Sequence, residues 1–202
     1  EVARRLGADG VPAQPADSVA ITSAYVGSTN PDPTLARRMR ASFQVTGPLL
    51  ARFGRFDCAS PGGCQLGSRP VSVDIAGFTQ MGAVVALADE VFHAEADALY
   101  GQRVYLDYPS HTGTQNLLMA ATLANGFTTI VHASREPEVI ALVHFLRGMG
   151  AEIHGEGTSV IGVQGRDRLF GATSRAIPDR IVTGTMSVEK ALTGGDVELL
   201  NI

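Results

Sequence analysis

The chain has 202 residues, 45% of them hydrophobic, and carries 16 Lys and Arg against 20 Asp and Glu for a net charge of −4. That is enough apolar material for one well-filled core, and the acidic balance excludes a general nucleic-acid binder, which needs a basic face to displace counterions. No apolar run reaches membrane-spanning length, and the opening Glu1-Val2-Ala3-Arg4-Arg5 lacks the order of a signal peptide, so the expectation is a cytoplasmic protein with no membrane partner.

Leu6-Gly7-Ala8 reads as the close of a helix, with glycine at the left-handed C′ position. Pro12 to Pro33, rich in Pro, Asp, Ser and Asn, predicts strands joined by a turn-rich loop. From Thr34 to Arg69 the basic residues are Arg37, Arg38, Arg40, Arg52, Arg55 and Arg69, and the only acid is Asp57. Such an excess suits a compact anion such as a phosphorylated metabolite, although a solvated face is the plainer account of Arg37, Arg38, Arg52 and Arg55.

Pro61-Gly62-Gly63-Cys64-Gln65-Leu66-Gly67-Ser68-Arg69-Pro70 follows. It sets a thiol in a glycine-hinged loop, ahead of an arginine. Glycines let backbone approach a ligand and move as a lid. Pro70 suits the first turn of a helix, which would place Arg69 beside an anion-favouring N-terminus. Val71, Ile75 and Phe78 recur at helix spacing, and Met81-Gly82-Ala83-Val84-Val85 closes that helix and begins a strand.

Thr112-Gly113-Thr114 opens a helix ending near Gly126, before a strand from Phe127 to Ala133. After Pro137, Val139, Val143, Leu146 and Met149 form one helical face, closed by Met149-Gly150-Ala151-Glu152-Ile153. Thr158 to Val163 is a short β-branched strand. Thr183-Gly184-Thr185 opens a last helix ending near Gly194-Gly195, and Val197 to Ile202 predicts a final strand. Apolar-Gly-Ala thus recurs around Gly7, Gly82 and Gly150 at spacings longer than common solenoid periods. The unit reads helix, strand, helix, then two or three strands, an α/β pattern with two complete copies flanked by partial ones. The expectation is a piece of something longer.

Five motifs, in order, then carry a resemblance. Gly47-Pro48-Leu49-Leu50-Ala51-Arg52-Phe53-Gly54, the loop from Pro61 to Pro70, Asn116-Leu117-Leu118-Met119-Ala120-Ala121, Arg135-Glu136-Pro137-Glu138 and Pro178-Asp179-Arg180-Ile181 resemble the UDP-N-acetylglucosamine 1-carboxyvinyltransferase (enolpyruvyl transferase) family over nearly the whole chain. The resemblance implies an inside-out α/β barrel of repeated βαβαββ-like units, with residues 1–180 forming most of the thiol-loop domain and 181–202 starting the crossing to a second domain. It implies transfer of the enolpyruvyl group of phosphoenolpyruvate to the 3-hydroxyl of UDP-GlcNAc, the first committed step of peptidoglycan synthesis, without metal or other cofactor. The family's N-terminal Lys-Asn pair and its second domain are absent from these residues, so the piece alone is expected to catalyse little.

In that family a cysteine in the position of Cys64 is the proton donor and the thiol alkylated by fosfomycin. A thiol, with an unperturbed pKa of about 8.5, is tunable for such work. Cys58 has no such context and reads as core. Arg69 and Arg40 match substrate-contacting arginines, and Pro70, Val71, Ser72 and Val73 match the stretch that holds the uridine diphosphate end. Tyr108, Pro109, Ser110 and His111 match a second nucleotide-diphosphate loop. There His111 departs from the usual Ser-Val-Gly-Ala-Thr pattern, and either donates to phosphate or lines the loop.

Glu136, Glu138 and Asp179 match acids near the family's cleft, although helix capping is sufficient for the pair around Pro137. Ser72 and Asp74 stand where aspartate and histidine are usual, and Gln44 where an aromatic is common. These departures keep two alternatives open: a related transferase acting on another nucleotide such as UMP in secondary metabolism, or a non-catalytic nucleotide-sugar-binding domain. His93, His132, His144 and His154 show no ligand-like spacing, and packing or surface roles are expected.

Overall fold

A computed structural model describes residues 6, 7, 9–13, 18–62 and 70–200. A hairpin begins ahead of the segment from Pro12 to Pro33 and runs into it, with β1 (Asp9–Ala13) antiparallel to β2 (Ser18–Thr22) and Asp9 opposite Thr22. A one-turn helix α1 (Pro33–Ala36) follows, capped by the Asp32 carboxylate on the N–H groups of Thr34 and Leu35. A 3-10 segment, Arg40–Val45, then leads into α2 (Thr46–Phe53).

From there the chain writes one pattern twice. The first copy is α2, β3 (Arg55–Ala59), α3 (Ser72–Gln80), β4 (Val84–Ala88) and β5 (Val91–Glu95). β6 (Arg103–Tyr105) connects to the second copy, which is α4 (His111–Ala121), β7 (Phe127–Val131), α5 (Pro137–Gly148), β8 (Glu152–His154) and β9 (Val160–Gln164). In each copy the last strand lies between the other two and antiparallel to both, giving orders β3-β5-β4 and β7-β9-β8. The register matches too: Glu95 faces Arg55 and Val84, as Gln164 faces Phe127 and Glu152. β6 adds to the second sheet, parallel to β7.

The glycine signature marks the same backbone event each time. Gly7, Gly82 and Gly150 have φ of +95°, +104° and +97°, a region that costs a Cβ-bearing residue steric strain. After Gly82 and Gly150 the chain enters β4 and β8 within two residues.

The core lies under both sheets. Phe43, Phe56, Phe78 and Phe92 meet edge-to-face at centroid distances of 5.5–6.1 Å. Phe56 and Phe78 are fully buried, and each such side chain stabilises by about 2–3 kcal/mol. Helix α4 is the axis of this packing. It touches α2, α3 and α5, and its Leu117, Leu118, Ala120 and Ala121 are sealed from solvent.

Several local expectations shift. α3 begins at Ser72 with Val71 as N-cap, so Pro70 precedes the cap rather than standing in the first turn. α4 begins at His111, because the Ser110 hydroxyl accepts the Gly113 N–H and so sets the cap ahead of Thr112. β9 starts at Val160, since the Thr158 hydroxyl bonds Gly155 and Val160 locally and holds a turn there. Residues 173–200 form a separate unit containing α6 (Arg180–Thr193), opened by the Asp179 carboxylate on Ile181 and Val182 and closed at Gly194 in the left-handed region. Val197 to Leu200 adopts no strand, as no neighbouring strand among the described residues pairs with it.

Candidate active site

An open cleft of about 430 Å³ is lined by Arg40, Pro70, Tyr108, Pro109, Ser110, His111 and Thr112. Three segments far apart in sequence meet there: the start of the 3-10 segment, the approach to α3 and the start of α4. Arg40 is fixed by a hydrogen bond from its Nη2 to the Pro70 carbonyl, at 3.1 Å. Ser110 is nearly buried, and its hydroxyl oxygen caps α4 through Gly113 N–H at 3.1 Å while keeping its own proton to donate. His111 is the first helical residue, with Nε2 4.0 Å from a Glu138 carboxylate oxygen. A guanidinium, a hydroxyl and a helix N-terminus on one cleft make a setting for phosphate oxygens.

The other expected residues fall differently. Val71 and Val73 belong to the core, which leaves only their backbone groups to face a ligand, whereas Ser72 is exposed. Cys64 and Arg69 lie outside the described residues. Cys58 is fully buried, and that burial pushes its thiol up to about 12, so it stays protonated and inert at neutral pH.

Beneath the cleft is a polar node that sequence reasoning missed. Asn116, fully buried on α4, donates to the Asp74 carboxylate (2.8 Å), the Thr46 hydroxyl (2.9 Å) and the Phe43 carbonyl (3.2 Å), and accepts from Gly47 N–H (2.7 Å). Gly47 has to be glycine here, because a Cβ would overlap Asn116. Asp74 sits in the first turn of α3, where the helix dipole favours a carboxylate. Burial nevertheless raises its pKa, a shift opposed in turn by the Asn116 bond, its own backbone N–H and the charge of Arg40. The only sequence signal was a polar residue, Asn116, inside an otherwise apolar helix face.

A second chain of contacts runs behind His111: Gln44 Nε2 donates to Gln115 Oε1, whose Nε2 donates to the Glu138 carbonyl at 3.3 Å. Glu136 is the N-cap residue of α5 and Glu138 stands in its first turn, while Asp179 caps α6. The remaining arginines act locally. Arg52 donates to the carbonyls of Ser23 and Ala24, Arg37 lies 3.7 Å from Glu90, and Arg38 and Arg55 are exposed. His93 meets Asp57 at 2.6 Å and His132 meets the Leu106 carbonyl at 3.0 Å; His144 and His154 lie near Glu156 and Glu152. Among the described residues no three His, Cys, Asp or Glu side chains gather as metal ligands, and no helix is long and apolar enough to cross a membrane.

A family model described as EPSP synthase (3-phosphoshikimate 1-carboxyvinyltransferase) matches residues 1–202. Curated relatives named UDP-N-acetylglucosamine 1-carboxyvinyltransferase include one from Desulforapulum autotrophicum, 49% identical over 81% of this chain and 39% of its own. Another, from Halorhodospira halophila, is 45% identical over 90% of this chain and 43% of its own. The chain therefore spans about two fifths of the length of these relatives. Among solved structures, the enolpyruvyl transferase NikO from Streptomyces tendae superposes with a TM-score of 0.77 at 21% identity, over 92% of this chain and 44% of its own. EPSP synthase from Acinetobacter baumannii gives 0.68 at 18% identity, over 94% and 43%. These two likenesses establish the α/β enolpyruvyl transferase fold.

Proposed function

Because the chain belongs to the EPSP synthase family, we propose that the complete protein transfers the enolpyruvyl group of phosphoenolpyruvate to the 3-hydroxyl of UDP-N-acetylglucosamine, in the cytoplasm, for peptidoglycan synthesis. The observation that carries the choice of acceptor is the 45–49% identity to relatives bearing that name, over most of this chain. Residues 1–180 would supply the thiol-loop domain and 181–202 the start of the crossing. The rest of the protein would supply the second wall of the active site.

In this reading the Cys64 thiol protonates the methylene carbon of phosphoenolpyruvate as the sugar hydroxyl oxygen bonds to the adjacent carbon. The hydroxyl proton passes to a base in the second domain. The tetrahedral intermediate then returns a proton from the new methyl group to the Cys64 thiolate and expels phosphate, restoring the vinyl group as an enolpyruvyl ether. Protonating carbon demands a donor held in line and with a pKa near working pH, which favours a tunable thiol over the sealed Cys58. Arg40, Arg69, Ser110 and His111 would bind the diphosphate, with Tyr108, Pro109, Ser72 and the backbone of Pro70, Val71 and Val73 along the nucleotide.

The test is phosphate release by the complete protein with phosphoenolpyruvate and either UDP-GlcNAc or UMP as acceptor. Release with UDP-GlcNAc is expected. A strict preference for UMP overturns the acceptor, and binding of UDP-GlcNAc without turnover by the two-domain protein overturns catalysis.

A further inference from the structure

His111 meets the cleft with only part of its ring. Its side chain is 37% exposed, yet Nε2 is sealed from solvent and has no hydrogen-bond partner. That nitrogen faces a Glu138 carboxylate oxygen, also sealed, at 4.0 Å. The distance is that of an ion pair, about 1 Å longer than an N–H···O bond, and a small rotation of the ring closes it. Glu138 is tied to the same helix as His111, because Gln115 Nε2 donates to its carbonyl at 3.3 Å. An imidazole donates from both nitrogens only when it is protonated. With its N–H turned to Glu138, a neutral ring would offer the cleft a lone pair at Nδ1, which repels phosphate oxygens. An imidazolium offers an N–H there instead.

We propose that Glu138 is a positioning residue for His111: its carboxylate holds the Nε2 proton, Nδ1–H donates to a diphosphate in the cleft, and one proton is taken up as the ligand binds. The inference rests on the reading that the cleft takes a nucleoside diphosphate. Before the ligand arrives, the charges around the ring oppose one another. Glu138, Glu136 at the N-cap of α5 and Asp74 in the first turn of α3 favour the protonated ring, whereas Arg40 on the same cleft and the N-terminus of α4 disfavour it. Tyr108 also lines the cleft, and Asp107 and Arg135 are exposed on the flanking loops. Among the described residues only Glu138 brings a carboxylate oxygen within 4.0 Å of a ring nitrogen of His111, and Asp74 is bonded to Asn116. The two negative charges of a diphosphate tip this balance toward the imidazolium.

Calorimetry on the complete protein tests this, with UDP-N-acetylglucosamine as probe, in buffers of different ionisation enthalpy at about pH 7.5, where histidines are ordinarily neutral. The diphosphate of this probe is a diester with one charge on each phosphate and does not titrate there, so a proton taken up enters the protein. Wild type is expected to take up roughly half a proton or more per ligand bound. His111→Val should take up about none and bind about tenfold more weakly, the scale of one charge-assisted contact. Glu138→Gln should lose most of the uptake and a similar factor in affinity when His111 is present, and less than about twofold beside His111→Val. His111→Gln, a neutral donor, must also take up no proton, should the valine variant fail to fold. Uptake that survives in His111→Val, or an equal loss from Glu138→Gln in both backgrounds, overturns the proposal. Binding by wild type without uptake does the same while leaving the diphosphate reading in place, and a wild type that does not bind the probe removes both.

Discussion

The two repeat copies share strand order, register and glycine-terminated helices, yet they differ where the first strand hands over to its helix. In the second copy residues 132–136 cover that step, between β7 and α5. In the first copy residues 60–71 cover it, between β3 and α3, and include the thiol loop. The polar contacts follow the same division. The second copy ties its hairpin to its own helix, with Arg147 of α5 forking onto Glu156 and bonding the Ile153 carbonyl. The first copy turns its hairpin through Asp89 and Glu90, both at positive φ, and Glu90 reaches toward Arg37 and the Ser60 N–H, at the base of the long loop. One scaffold thus serves two ends: a self-contained brace in one copy, and a long connection between strand and helix in the other.

The largest effect that could break this contrast concerns the long loop itself. Cys64→Ala in the complete protein is expected to lower turnover by about two to four orders of magnitude, the range of a lost general acid. Unimpaired phosphate release by that variant would remove the chemical reason for the loop. Fosfomycin with UDP-GlcNAc should leave a single adduct on Cys64, since Cys58 has its thiol raised to about 12 by burial. Mass spectrometry locating the adduct on Cys58 would reverse the assignment.

Next in size is the node that joins the copies. Asn116→Leu would strip partners from Gly47 N–H, the Thr46 hydroxyl and the Asp74 carboxylate at once. A loss of about 3 kcal/mol is expected, as for a buried network with its centre removed. Denaturant unfolding measures it, and a loss below about 1 kcal/mol would mean that the node is not under load.

How much of this could be read from residues alone divides along the same line. Gly82 and Gly150 were legible because a left-handed helix stop needs glycine locally, and Phe127–Val131 because four of its five residues are β-branched. The cleft residues Arg40 and Tyr108 to His111 were legible only through the family's ordered motifs, since nothing local links position 40 to position 108. The node was not legible. Asp74 looked like a departure affecting uridine, and the bonds of Asn116 to Asp74 and Thr46, across 42 and 70 residues, have no periodic signature. The strand expected at Val197 rested on composition, and β-branched residues form a strand only where a partner edge is offered.

The smallest effect sharpens the comparison from the bracing side. Glu156 has its carboxyl lowered from 4.5 to about 2, chiefly by its hydrogen bonds from Arg147. A carboxylate with a depressed folded pKa contributes stability that is fully present above its unfolded value. That contribution drains away as pH falls from about 4.5 through 2. Glu156→Gln should therefore cost about 1 kcal/mol at pH 7, the upper range for a partly exposed ion pair, and the gap to wild type should close as the pH approaches 2. Unfolding titrations of both proteins across that window read the convergence directly. A gap that stays constant with pH would assign the effect to packing, and would leave the second copy braced by its helix contacts rather than by charge.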